Sequence, residues 1–81
     1  MSFTAVSVGK RLNLQDNFLS AVRRTGVRVT MFLMNGYQLR GVITGFDPYV
    51  VVLNSEGKQQ IIYKHAISTI APEHTVALEE D

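Results

Sequence analysis

Lys64-His65 is the pair in this chain best suited to handling an anion. An ammonium and an imidazole stand side by side. Ile61, Ile62 and Tyr63 precede them, and Ala66, Ile67 and Ile70 follow. β-Branched and aromatic residues on both sides of a polar pair predict two short strands joined by a tight bend. Ile61, Tyr63, Ile67 and Ile70 are expected inside, with Lys64 and His65 presented at the bend. One such pair binds an anion weakly. Repeated around the opening of a ring of copies, it makes a focused positive field.

Other chemistry is poorly supplied. Asp47 and His65 could pair as acid and base, but no nucleophile accompanies them, so the set falls short of a hydrolase constellation. Gly36, Gly41 and Gly45 lie in or between strands rather than before a helix, so they form no phosphate-cradling loop. The chain has no cysteine, which removes disulfides and thiolate metal sites. No enzyme activity, cofactor or metal is expected. A nuclease or ATPase built on His65 and Lys64 is the most distant alternative.

The elements that position these residues follow from periodicity. Residues 13–25 read as a helix, because Leu14, Phe18, Ala21 and Val22 form an apolar stripe of helical period. Asn13 suits the N-cap, with Asp16 three residues on. Arg23 and Arg24 occupy the last turn and Gly26 the end. Both arginines complement the C-terminal dipole of a helix. Residues 27–34 alternate, with Val27, Val29, Met31 and Leu33 on one face and Arg28, Thr30, Phe32 and Met34 on the other. Asn35-Gly36 predicts a two-residue type I′ hairpin turn, which needs positive φ at both positions. A second strand spans 37–46, and Gly41 and Gly45 within it predict strong bending or close backbone approach. Asp47-Pro48 breaks the ladder, since proline has no N–H to donate. The Asp47 carboxylate is expected to cap this turn. Residues 49–53 form a short apolar strand, 54–57 a turn, and 59–64 and 66–70 the last two strands.

One helix followed by five short, curved strands gives a mainly β chain closing into a small open barrel. Open barrels have edges, and an apolar strand over 66–70 at an edge invites pairing with another copy. A head-to-tail contact of that kind closes into a ring or runs on as a filament. A chain of 81 residues buries little of its unfolded surface, about 60–65%, so assembly would add stability. The organisation expected is a flexible arm over 1–12, one domain over 13–72, and a short acidic tail over 73–81.

The net charge of +1 conceals an uneven distribution. Glu73, Glu79, Glu80 and Asp81 supply four of the seven acids, so residues 1–72 hold eight basic and three acidic side chains. A basic body suits a polyanion, and Lys10 and Arg11 add to it. The acidic tip could compete for the same surface. No apolar run approaches transmembrane length, and the N-terminus has no apolar core followed by a cleavage site. A cytoplasmic protein with no membrane partner is expected.

Tyr63-Lys64-His65-Ala66-Ile67-Ser68-Thr69 resembles the second signature of Hfq, the bacterial Sm-like RNA chaperone family. Asn35-Gly36 with Leu39 and Gly41, then Phe46-Asp47, resemble its first signature. Leu14-Gln15-Asp16 with Phe18-Leu19 resembles its N-terminal helix. The likeness covers residues 14–69. It implies an Sm-like fold, a strongly bent five-stranded open barrel, assembled as a homohexameric ring. It implies an RNA chaperone that promotes pairing of small regulatory RNA with mRNA and so affects translation and RNA stability.

Three RNA surfaces follow from the same resemblance. A proximal face for uridine-rich ends matches Gln15, Tyr49, Lys64 and His65. Tyr49 stands where many members have phenylalanine, which keeps a stacking surface, while Pro48 replaces a common polar residue. A distal face for A-rich or purine-alternating RNA matches Phe32, Gly36, Tyr37, Gln38, Leu39, Gln60 and Thr69. Tyr37 and Gln38 replace the usual isoleucine or phenylalanine and lysine, and one extra residue falls within 55–59. A basic rim matches Arg23 and Arg24, shortened by Thr25-Gly26. The residue types suit single-stranded RNA: lysine for phosphate, aromatic rings for stacking, and glutamine for a base edge. A small SH3-like barrel that binds peptides is the alternative from another class. It fits the polar, aromatic surface around Tyr37.

Overall fold

A computed structural model of the protein describes residues 14–78. The expected arm over 1–12, the Asn13 cap and the acidic tip at 79–81 lie outside the described residues. Helix α1 spans Leu14–Thr25. It is followed by strands β1 (Arg28–Leu33), β2 (Gln38–Phe46), β3 (Val50–Ser55), β4 (Lys58–Tyr63) and β5 (Ile67–Pro72). All pairings are antiparallel, and the strand order is β4-β3-β2-β1-β5. The sheet is therefore open, with β4 and β5 at its two edges.

α1 ends as its sequence requires. The Gly26 N–H donates to the Val22 carbonyl (3.0 Å) with Gly26 at φ +69°, a left-handed cap. The helix buries Leu19, Ala21 and Val22 and packs against β2. Leu14 and Phe18 of the expected stripe are only half-buried, and Leu19, which the stripe omits, is fully buried. The core joins Leu19 and Val22 to Val29, Met31, Ile43, Val51, Leu53, Ile62 and Ile67. Each such side chain contributes roughly 1.5–3 kcal/mol on burial.

Curvature comes from β2. The register shifts between Ile43 and Gly45 opposite β3, which marks a bulge and bends the strand. Gly41 lies so close to the Asn54 carbonyl that a Cβ would strike it. Both glycines thus do what their placement in a strand predicts.

Three expectations are corrected. The Asn35-Gly36 connection is a three-residue loop rather than a type I′ turn. Leu33 accepts from the Gly36 N–H (2.9 Å) and donates to the Tyr37 carbonyl (2.8 Å), and only Gly36 has positive φ. The hairpin with positive φ at both central residues is Glu56-Gly57, between the paired Ser55 and Lys58, so Asn54 and Ser55 belong to β3. Second, Ile61 and Tyr63 are not buried: they are 65% and 58% exposed, and Ile62 takes the core position. Third, Lys64 is not presented to solvent: it is only 7% exposed. The parity of β4 is one residue out from the expected one, which exchanges every inward and outward side chain.

Residues just beyond β5 still contact the fold. The Glu73 N–H donates to the Arg28 carbonyl (2.9 Å), and Val76 packs on the core. Among the described residues, no helix is long and apolar enough to cross a membrane.

Candidate functional site

Tyr49, Lys64 and His65 come together at one end of the sheet. Tyr49 lies in the β2–β3 turn, and Lys64–Ala66 form a single 3-10 turn between β4 and β5. The Lys64 N–H donates to the Tyr49 carbonyl (2.8 Å), tying the two turns. Asp47 holds the first turn: its Oδ1 accepts from the Tyr49 and Val50 N–H groups, both at 2.8 Å. Those two hydrogen bonds, with the Lys64 charge as a smaller influence, hold the Asp47 carboxyl below its ordinary value of 3.8. Tyr49 is left 75% exposed. The His65 ring is also exposed and stacks on Tyr63, with centroids 5.7 Å apart and planes 21° from parallel.

Lys64 folds inward. Its Nζ lies 5.7 Å from the centroid of Phe46. The Arg23 guanidinium lies 5.4 Å from the same centroid. One ring thus meets two cations, each interaction worth about 0.5–1 kcal/mol at an exposed site. Arg23 and Lys64, expected on different surfaces, are joined through Phe46. Arg24 is exposed in the last turn of α1. Gln15 lies half-buried in the first turn, and among the described residues no hydrogen bond joins it to Tyr49, Lys64 or His65.

A second group lies across β2, β1 and β5. Phe32 is in register with Gln38 on one side and Thr69 on the other. Residues directly opposite share a sheet face, so Gln38, Phe32 and Thr69 form one row. Gly36 and Tyr37 sit at the hairpin beside it. Tyr37 is 69% exposed, and its N–H donates to Asn35 Oδ1 (3.0 Å). Gly36, at φ +94°, adopts a conformation that a side chain would strain. Leu39 does not join the row: it is paired with Met31 and packs on the core. Gln60 is paired with Leu53, whose side chain is fully buried, so it points to the core side of β4. Gln59, its neighbour, faces outward.

Sequence reasoning missed Phe46 as a shared platform for two cations. Its place before Asp47 gave no periodic signal, because the partners come from α1 and the 3-10 turn. Among the described residues no group of histidine and carboxylate side chains is placed to hold a metal.

Comparison with known proteins gives a consistent result. The Hfq protein family model matches residues 14–77. The chain is 59% identical over 70 residues to the RNA-binding protein Hfq of Bacillus subtilis, covering 86% of this chain and 96% of that one. It is 56% identical over 70 residues to the RNA-binding protein Hfq of Geobacillus kaustophilus, covering 86% and 93%. A crystal structure of the pleiotropic translational regulator Hfq superposes with a TM-score of 0.72 at 52% identity, covering 73% of this chain and 98% of that one.

Proposed function

Because this chain belongs to the Hfq family, whose named relatives are RNA-binding proteins rather than enzymes, we propose that it is an RNA chaperone. It binds single-stranded RNA on two separate surfaces of a homohexameric ring. Uridine-rich RNA meets Gln15, Tyr49, Lys64 and His65. A-rich RNA meets Phe32, Gly36, Tyr37, Gln38, Leu39, Gln60 and Thr69. Arg23 and Arg24 screen phosphates at the rim. Held together, a small regulatory RNA and an mRNA gain effective concentration and pair faster. The setting is cytoplasmic.

The observation that carries this reading is that the candidate RNA-binding side chains gather in two groups carried by different elements. Exposed Tyr49 and His65 project from turns at one end. The Phe32 row and exposed Tyr37 lie on another element group. Each cluster offers an aromatic ring, and base stacking on such a ring contributes about 1–3 kcal/mol. The inward position of Lys64 in a single chain gives it a defined task in a ring. Six ammonium groups near a low-dielectric wall act as one field. Leu39 supports the A-rich surface through its packing on the core, and Gln60 offers an amide to an adenine edge from the core side of β4.

Ring closure rests on the two open edges. β5 and β4 each present an unpaired ladder, and β4 carries exposed Ile61 and Tyr63. The test of function is a pair of substitutions read by fluorescence anisotropy. Lys64→Ala weakens oligo(U) more than oligo(A), and Tyr37→Ala does the reverse. Equal weakening of both RNAs by both changes overturns the two-surface reading.

A further inference from the structure

The surface carries a cleft of ≈ 420 Å³ that continues from the A-rich RNA surface at Gln38 and Leu39 to two arginines that neither RNA surface uses. Arg28, Gln38, Leu39, Arg40, Ser55 and Glu56 line it. Its position follows from register. Thr30 pairs with Arg40, and Arg28 with Val42. Arg28, Thr30 and Phe32 alternate onto one face of β1, and Gln38, Arg40 and Val42 onto the same face of β2. Arg28 and Arg40 are therefore diagonal neighbours, roughly 7–8 Å apart at the backbone. Arg40 stands one row along the strands from Gln38, a step of about 7 Å, and Arg28 stands two rows from Phe32, about 13 Å.

We infer that Arg28 and Arg40 form a phosphate-binding subsite for the backbone of a single-stranded RNA that crosses the sheet from the Phe32–Gln38 row. The inference rests on the reading that this row takes A-rich RNA. Both side chains are exposed, and among the described residues neither guanidinium is held in an ion pair. Two like charges set diagonally repel, and a phosphate between them relieves that repulsion. A guanidinium fork matches phosphate oxygens bidentately, which favours arginine for this task. Glu56 on the cleft wall offsets one positive charge and leaves a net excess of one.

The floor of the cleft is fixed. Ser55 Oγ donates to the Arg40 carbonyl (2.7 Å), which pins β2 to the β3–β4 hairpin. Gly41, next in line, sits hard against the Asn54 carbonyl. A held backbone lowers the ordering cost of binding.

The test uses the full-length protein with labelled oligo(A) and oligo(U) over a range of salt concentrations. Arg28→Gln/Arg40→Gln lowers the salt slope for oligo(A) by about 0.7 for each phosphate released, with a roughly tenfold weaker affinity at low salt. Oligo(U) binding is unchanged, which also reports that the variant is folded. Glu56→Gln tightens oligo(A). An unchanged slope for oligo(A) overturns the subsite, and so does an equal weakening of both RNAs. Tyr37→Ala separates the two levels. If it leaves oligo(A) binding intact, the A-rich surface itself is wrong. If it weakens oligo(A) while the arginine variant does not, only the phosphate subsite fails.

Discussion

Asp47 shows how a single side chain sets the position of others. Its carboxylate accepts from two backbone N–H groups and so fixes the turn that carries Tyr49. Its pKa is lowered in the folded state, so the stability it contributes is present above its ordinary value of 3.8 and is lost as pH falls through the lower folded value. Asp47→Ala therefore lowers the melting temperature near neutral pH, and the difference from the parent closes in acid. A difference that persisted unchanged in strong acid would remove the charge from the account. Gly41 is the second such position. Gly41→Ala drives a Cβ into the Asn54 carbonyl and destabilises the fold by about 1–3 kcal/mol, measured by urea unfolding. Lys64 marks the limit of what residue types convey. A lysine beside a histidine between two strands reads as an exposed pair. The structure turns it over Phe46, an aromatic ring supplied from eighteen residues earlier in the chain. No local pattern encodes that approach.

At the scale of elements, the helix and all five strands are legible in the sequence, because apolar residues fill them and their breaks carry glycine, proline or asparagine, or, between β4 and β5, the polar pair Lys64-His65. The two hairpin turns are not. Asn35-Gly36 has the composition of a type I′ turn, yet Asn35 keeps negative φ and lends its Oδ1 to Tyr37 instead. Glu56-Gly57 lacks the usual first residue and still takes positive φ at both positions, with Glu56 at +54°. Register of the flanking strands decides the turn, not turn preference. Glu56→Asn removes most of the cost of that conformation and should stabilise the protein by roughly 1 kcal/mol, read from thermal or urea unfolding. The doublet Ile61-Ile62 conceals the parity of β4, since either residue could face the core. The choice of Ile62 leaves Ile61 and Tyr63 exposed at an edge of the open sheet. Ile61→Lys should therefore lower the mass of the assembly in light scattering while the chain stays folded. Charged side chains on an edge oppose pairing with another strand.

For the whole molecule, charge and openness act together. The body holds eight basic and three acidic side chains up to residue 72, and the four remaining acids follow it. An open barrel with two free edges repeats that basic surface wherever copies join. In the proposed ring, weak sites multiply, which makes affinity a property of the assembly more than of any one side chain. The Sm-like fold carries one cluster on turns and another on a sheet face, and the proposed function gives each cluster its own RNA. The placement of Tyr49 and His65 follows from their motifs. The arginine cleft at Arg28 and Arg40 does not, because only the pairing of β1 with β2 brings them together.

The central claim is that two single-stranded RNAs are held on independent surfaces, and competition tests it most directly. Labelled oligo(U) is bound to the full-length protein, and unlabelled oligo(A) or oligo(U) is added. Displacement by oligo(U) but not by oligo(A), with a complex containing both RNAs, is the predicted result. Displacement by both at the same concentration would contradict the two-surface account and reduce the protein to one basic surface that does not distinguish them.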